Sequence, residues 1–475
     1  MPELLRPDIC VIGAGAAGLS VAAGVAALGV PVVLIEKGTL GGDCLNTGCV
    51  PSKALLSAAK RVAAARDARR FGVGDGPFPV DFARVREHVR AVIAAIAPND
   101  SAARFTGLGV RVVAGTACFA DRDTVAVDES FLVKARRFVI ATGSRPVVPP
   151  IDGLSGVPYL TNETVFDLDR CPRHLAVVGA GPVGLELAQA FRRLGAAVTV
   201  IEPATPLARD DPEGAAIVLA ALGREGIELR LETTVTSVEA DADGIRLMVR
   251  DRNGTAALAA SHLLVAAGRR VDCAGLGLER AGIRHGPDGI VVDRRLRTTN
   301  ARVYAIGDAI AGARFTHAAN HQAGLVIRNA VFRLPVRYRP DVVPWVTYTD
   351  PELAQAGLTE AEARRRGHQI KVLRWPYHDN DRAQAEGKTT GHIKVVTTRR
   401  GRILGATIVG AEAGELIGLW GLAVSRRLPI RAVANLVFPY PTLGEIGRRA
   451  AISSFLPGLT APLVRRIIAW LRRLG

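Results

Sequence analysis

The chain is poor in several residue types, and each scarcity narrows its class. Aromatic residues make up only 5% of it, and seven of its 61 basic residues are lysine, the rest being arginine. The formal net charge of +16 is therefore an arginine excess spread along the chain. That is the pattern of a solvated surface, and it argues against nucleic acid as the partner. Six cysteines in 475 residues are too few for the disulfide framework of a secreted protein. Cys10, Cys118, Cys171 and Cys273 stand apart in apolar or loop contexts and read as buried thiols. The uncharged stretch from Ile9 to Ile35 is broken by Gly13, Gly15, Gly18, Gly24 and Gly29 and ends at Glu36. It fits a strand, turn, helix and second strand, and excludes a membrane span or signal peptide. The expectation is a cytoplasmic protein.

What is present is ample core, with 48% hydrophobic and 22% charged residues. At about 150 residues per domain the length allows about three domains. An internal repeat organises them. DICVIGAGAAGLSVAAGVAALGVPVVLIEK from Asp8 aligns without a gap with HLAVVGAGPVGLELAQAFRRLGAAVTVIEP from His174. Gly13 and Gly179 lie 166 residues apart, as do Glu36 and Glu202. Each copy reads as strand, GxGxxG turn, helix and strand, with an acid at the end. The first two glycines, Gly13 and Gly15 or Gly179 and Gly181, let the backbone turn tightly and approach a pyrophosphate at the helix N-terminus. The third, Gly18 or Gly184, lets helix and strand pack closely, and the acid accepts hydrogen bonds from an adenosine ribose. Two such sites point to a flavin and a nicotinamide exchanging hydride. Only the first copy runs on into a cysteine pair, Cys44 and Cys49 in GGDCLNTGCVPSK, so it is assigned the flavin and the second the nicotinamide. Glu202 disfavours a ribose 2′-phosphate and favours NADH over NADPH, although Arg209 follows within a few residues.

The cysteine pair reads as redox-active. A helix N-terminus lowers a thiol pKa, and neither a second pair nor flanking histidines suggest a metal cluster. Elsewhere, Ala54 to Arg70 and Asp81 to Ala97 read as helices, the second ended by Pro98. Short strands follow from Val110 to Ile140, with further strands over Val235 to Val249 and Ser261 to Ala267. A hairpin joins Gly391 to Thr397 and Ile403 to Val409. Pro335, Pro340 and Pro344 mark a domain boundary.

With CLNTGCVPSK, ATGS at Ala141, GLELA at Gly184, AAGR at Ala266, YAIGD at Tyr304 and PYPTLGE at Pro439, the sequence resembles the FAD-dependent pyridine nucleotide-disulfide oxidoreductases from about Asp8 to Ala451. This is the family of dihydrolipoamide dehydrogenase, glutathione reductase and mercuric reductase. The resemblance implies an α/β fold with two Rossmann-type dinucleotide-binding domains and a C-terminal α+β dimerisation domain. The expected bounds are 1–146 and 271–342 for the FAD domain, 147–270 for the NAD(P) domain and 343–455 for the dimer interface. It also implies a homodimer in which Cys49 lies next to the flavin and Cys44 exchanges with substrate. Lys53 would lie by the flavin and pair with Glu186, Asp308 would bind the ribitol, and Thr142, Gly143 and Gly268 belong to cofactor-binding motifs. Thr316 and His317 open a helix that could face the flavin pyrimidine. Neither His317 nor His321 is given an acid-base role.

One departure matters. Thiol-substrate members carry His-Pro where this chain has Tyr440 and Pro441, with Glu445 retained. A phenol with a pKa of about 10 is a poor base at neutral pH, where imidazole is well matched. Tyrosine here is similar to mercuric reductases, although their C-terminal cysteine pair and N-terminal metal-binding module are not found in this sequence. The expected enzyme is a mercuric reductase-like NAD(P)H-dependent disulfide reductase acting on a small molecule, metal ion or disulfide. Dihydrolipoamide dehydrogenase is the alternative, and a membrane- or nucleic-acid-associated flavoprotein redox partner is a rival of another class. No metal site of the protein's own is expected. Finally, residues 456–475 read as a basic amphipathic helix with Leu463, Ile467, Trp470, Leu471 and Leu474 on one face. Arg465, Arg466, Arg472 and Arg473 lie on the other. It suits an anionic membrane or docking on the protein's own dimer.

Overall fold

The computed structural model describes residues 2–474 apart from Asp75, Pro77 and Thr460. They form two compact units, Met1–Ala204 with Ile227–Pro340, and Thr205–Gly226 with Asp341–Gly475.

The first unit contains two parallel sheets built on the repeated segments. One runs Val303–Ala305, Arg137–Ile140, Ile9–Ile12, Val32–Glu36, Arg111–Ala114, and the other Glu228–Leu231, Ala197–Glu202, His174–Val178, His262–Val265. Continuous apolar runs such as ICVI and HLAVV make strands covered on both faces, as parallel sheets require. The repeat extends to register: Ile9 pairs with Val32 as Leu175 pairs with Val198. Helices Ala16–Ala26 and Pro182–Leu194 follow the two glycine turns. In each sheet the repeat's first strand has neighbours on both sides, so the crevice at its C-terminal end is where an open α/β sheet binds ligands.

A three-stranded antiparallel sheet, Thr234–Asp241, Gly244–Asp251 and Gly254–Ala260, adds one strand to those expected from sequence. Helix Phe82–Ile96 starts where Asp81 accepts a hydrogen bond from the Arg84 amide. The expected helix from Ala54 begins earlier, at Cys49, and Cys44 occupies a separate short helix, Gly42–Asn46. The expectation of four buried thiols needs correction. Cys10 is buried within its strand, whereas Cys118, Cys171 and Cys273 are only partly covered, because they stand in edge strands and loops.

The second unit is an antiparallel sheet ordered Trp345–Thr347, Glu352–Gly357, Ile403–Gly410, His392–Thr398, Ile370–Pro376, with the expected hairpin at its centre. Trp420 and Tyr377 fill its core. Lys394 is buried in this unit, where Asp211 at 2.9 Å, Glu213 at 2.8 Å and Glu360 at 3.1 Å compensate its charge. The tail forms helix Pro462–Leu471; Thr460 and Gly475 of that segment lie outside the described residues.

Candidate functional site

The two glycine turns are the same object built twice. Both Gly13 and Gly179 have positive φ, +101° and +114°, and an added Cβ would lie 2.4 Å from the Ala141 carbonyl oxygen or 2.5 Å from that of Ala266. A Cβ on Gly18 or Gly184 would strike the carbonyl oxygen of Gly13 or Gly179, so each turn closes only with glycine. Over Gly181 there is open space, whereas a Cβ on Gly15 would touch Gly42 Cα at 3.8 Å. The Glu36 carboxylate accepts from the amides of Ala14 at 2.5 Å and Gly38 at 2.8 Å. The Glu202 carboxylate accepts from Ala180 at 2.7 Å and Ala204 at 2.8 Å. A cleft of about 440 Å³, counting its open mouth, is lined by Gly13, Glu36, Lys37, Thr116, Thr142 and Leu276 among others. Thr142 Oγ1 is buried there with no hydrogen-bond partner among the described residues. Backbone that a Cβ would fill, a carboxylate at the strand end and an unsatisfied hydroxyl together fit a bound dinucleotide.

The cysteine segment folds back onto the first turn. Gly41 donates to the Ala14 carbonyl at 2.9 Å, and a Cβ on Gly42 would lie 2.7 Å from Gly15 Cα. Both thiols are free, Cys44 at the centre of its short helix and Cys49 at the first position of helix Cys49–Asp67. A hydrogen bond from Cys44 brings the Cys49 pKa down to about 6, aided by Thr316 and the Lys53 charge against the opposing effect of burial. The same bond, with burial, pushes the Cys44 thiol up. Thr316 Oγ1 lies 3.6 Å from Cys49 Sγ, so the N-terminus of helix Thr316–Ala330 is brought to the dithiol. Lys53 Nζ donates to the buried Glu186 carboxylate at 2.7 Å. The His317 ring stacks on Phe315 at 5.3 Å.

Several polar side chains near the dithiol were not singled out from sequence. Arg269 donates to Ser144 Oγ at 2.7 Å, to Ser144 O at 2.8 Å, to Asn162 Oδ1 at 3.2 Å and to the Asp43 carboxylate. Asn162 Nδ2 in turn reaches the carbonyl of Thr47, between the cysteines, at 3.2 Å. Ser144 Oγ donates to Asp308 at 2.6 Å, and burial raises the pKa of that carboxyl. Gly143 and Gly268 take positive φ beside this network. The motif AAGR held the only sequence signal for Arg269; its partners come from distant segments.

In the second unit Tyr440 is 69% exposed, and its hydroxyl donates to Asp381 Oδ2 at 2.8 Å, a bond that raises the phenol pKa. Glu445 opens helix Glu445–Ser453 and accepts weakly from the Thr442 amide at 3.5 Å. Arg209 lies over the Trp345 ring at 4.3 Å. Among the described residues no cluster of His, Cys, Asp and Glu could hold a metal ion, and no helix is long and apolar enough to cross a membrane.

Two dinucleotide cradles with a dithiol folded onto the first define a flavin-dependent reductase that works through a disulfide. Comparison with known proteins makes the class specific. Residues 7–323 match the model described as pyridine nucleotide-disulphide oxidoreductase, and residues 343–451 match the dimerisation domain of the same description. The chain is 37% identical over 456 residues to a mercuric reductase of Streptomyces lividans, spanning 94% of this chain and 95% of that one. It is 33% identical over 453 residues to a dihydrolipoyl dehydrogenase of Geobacillus stearothermophilus, spanning 94% and 96%. Among solved structures, the Cu(II) complex of the HOCl-induced flavoprotein disulfide reductase RclA from Escherichia coli superposes with a TM-score of 0.84 at 27% identity, covering 94% and 99%. LpdA from Mycobacterium tuberculosis gives 0.85 at 26%, with the same coverage. The chain belongs to the pyridine nucleotide-disulphide oxidoreductase family, whose members are NAD(P)H-dependent flavoprotein enzymes using FAD. Its dimerisation domain supports a homodimer.

Proposed function

We propose that this reductase passes electrons through Cys49 and Cys44 to a thiophilic metal ion, in the manner of a mercuric reductase, in preference to a dithiol. The observation that carries this reading is Tyr440. Where thiol-substrate relatives place a histidine, the chain has a phenol that already donates its proton to Asp381 and whose pKa is raised by that bond. It offers no base near neutral pH for taking a proton from a dithiol. The mercuric reductase relative and the Cu(II) complex of the structural relative support the same direction.

FAD, when bound, would supply the redox chemistry that links the nicotinamide to the Cys44–Cys49 pair. Gly13, Gly15, Gly18, Glu36, Thr142, Gly143, Asp308, Thr316 and His317 would hold it. Gly179, Gly181, Gly184, Glu202 and Gly268 would hold the nicotinamide dinucleotide, with NADH preferred through Glu202. Cys49, with its pKa of about 6, remains a thiolate at neutral pH. Cys44 keeps its proton until the acceptor takes its place. Lys53, fixed by Glu186, presents a positive charge beside Cys49. Glu445 stands near Tyr440, where its charge also raises the phenol pKa.

The test is an acceptor screen on the purified protein, following NADH oxidation with Hg(II), Cu(II), lipoamide, glutathione disulfide and a quinone, with Cys44→Ser as control. Metal-dependent turnover lost in Cys44→Ser is expected. Dihydrolipoamide oxidation with NAD should be about a hundredfold or more below that of an efficient enzyme. Dihydrolipoamide turnover on the order of 100 per second would overturn the assignment in favour of a dihydrolipoamide dehydrogenase.

We infer separately that the tail helix rests on an anionic lipid surface. Leu463, Ile467, Trp470, Leu471 and Leu474 are each 47–67% exposed, Arg465 and Arg466 stand among them in helix Pro462–Leu471, and Arg472 and Arg473 follow directly after it. An anionic bilayer satisfies both sets of side chains at once, acyl chains taking the apolar ones and headgroup phosphates the arginines. Phosphatidylserine vesicles should sediment the protein, pure phosphatidylcholine much less, and the double variant Leu463→Glu, Trp470→Glu should release it. If that variant instead sediments equally, or loses its dimer mass, the helix docks elsewhere.

A further inference from the structure

The flavin cradle contains a carboxylate at an unfavourable place. Asp43 directly follows Gly42, which is packed against Gly15, the residue at the head of helix Ala16–Ala26. That seam is where the glycine turn offers its amides and helix dipole to an anion. A second anion a residue away would repel a pyrophosphate, and Asp43 is 43% exposed, so water alone does not screen it fully. The only cation that the structure sets on Asp43 among the described residues is Arg269, from a segment 226 residues further along.

Arg269 is not free to move. Ser144 Oγ and O and Asn162 Oδ1 take three more of its five donors, and Arg314 holds its backbone carbonyl. Its Nε also lies 3.8 Å from Asp308, the second carboxylate of the cradle. A guanidinium held by this many acceptors stays charged and in place.

We propose that Arg269 neutralises Asp43 and thereby permits a dinucleotide pyrophosphate to settle on the Gly15 turn. It is a positioning residue for FAD that acts through Asp43. The inference rests on the assignment of FAD to the first unit. It predicts three affinities of different sign. Arg269→Met leaves Asp43 uncompensated and should weaken FAD binding about tenfold at low salt. Asp43→Asn frees the guanidinium charge for the pyrophosphate and should tighten binding about threefold. The double variant should return to within about threefold of the parent, because both charges are gone together.

The measurement is FAD release from diluted holoenzyme, read by the fluorescence of the freed flavin at low and high sodium chloride. High salt should shrink all three differences. A double variant as weak as Arg269→Met would show that Arg269 acts through Ser144 and Asn162 as scaffold, and would overturn the proposal. So would unchanged affinity in Asp43→Asn, a conservative surface change that leaves the fold intact if Arg269→Met does not fold. A parent protein that carries no FAD at all would instead remove the flavin assignment itself, a separate failure.

Discussion

Glu36 and Glu202 take their hydrogen bonds from equivalent amides, and Gly13 and Gly179 close against equivalent carbonyls, yet the chain leaves the two cradles differently. After Glu36 it returns across Gly15 and enters the cysteine segment. After Glu202 it passes into the loop ahead of helix Pro212–Arg224. The glycine turn and its acid specify a dinucleotide but not which one, because both ligands present the same pyrophosphate and ribose. The distinction lies in the following loop, which in the first copy carries redox chemistry to the cradle's edge.

The sharpest way to break this comparison is to remove the thiols of the first copy. Cys44→Ser and Cys49→Ser should each lower acceptor reduction at least about a thousandfold, as loss of one member of a concerted catalytic unit does. Flavin should stay bound, and only Cys49→Ser should remove the long-wavelength thiolate-to-flavin absorption. A persistent band in that variant would show that the proximal thiol is Cys44.

Alanine in the two turns should then separate the copies. Positive φ alone costs about 1–2 kcal/mol, before the clash with the facing carbonyl. Gly13→Ala is expected to yield protein without flavin and a lower melting temperature. Gly179→Ala should keep its yellow colour and lose saturation by NADH. The reverse pattern, read by absorbance and steady-state kinetics, would exchange the two assignments.

A smaller effect is expected at the strand ends. Glu202→Gln should raise KM for NADH about tenfold and leave that for NADPH little changed, since a charge-assisted hydrogen bond contributes about 1.5–3 kcal/mol. Glu36→Gln should move neither. Equal loss with both nucleotides would mean that Glu202 serves the turn and not the ribose.

The smallest change concerns protonation. In the reduced enzyme, the 240 nm thiolate absorbance should rise with pH through a midpoint near 6, the Cys49 value. Cys44→Ala removes the main hydrogen bond that lowers it, so the midpoint should climb by at least about one pH unit toward an ordinary thiol near 8.5. An unmoved midpoint would assign the low pKa to Thr316 and Lys53.

Much of this architecture was legible in the residues because the relevant contacts are short in sequence. Ala14 and Glu36 are 22 residues apart, within one strand–turn–helix–strand unit, and Asp81 caps a helix only three residues away. Apolar periodicity and glycine spacing report such units directly. The break at Thr47 and Gly48 was less visible, since both flanking segments favour helix and only the backbone at Thr47, φ −140° and ψ 8°, and Gly48, φ −127° and ψ −112°, interrupts them. Partial exposure of Cys118, Cys171 and Cys273 was also hidden, because burial of a short segment depends on what covers it.

The chain alone thus determined that there are two dinucleotide folds, that one precedes a redox pair, and that a tyrosine stands where thiol-substrate relatives have histidine. These are matters of local spacing and residue type. Tertiary structure decided the electrostatics. Cys49 meets Thr316 across 267 residues, Lys53 meets Glu186 across 133, Arg269 meets Asp43 across 226, and Tyr440 meets Asp381 across 59. A pKa or a neutralised charge depends on the few groups within hydrogen-bond reach, and folding brings these together from segments whose own sequence carries no mark of the encounter.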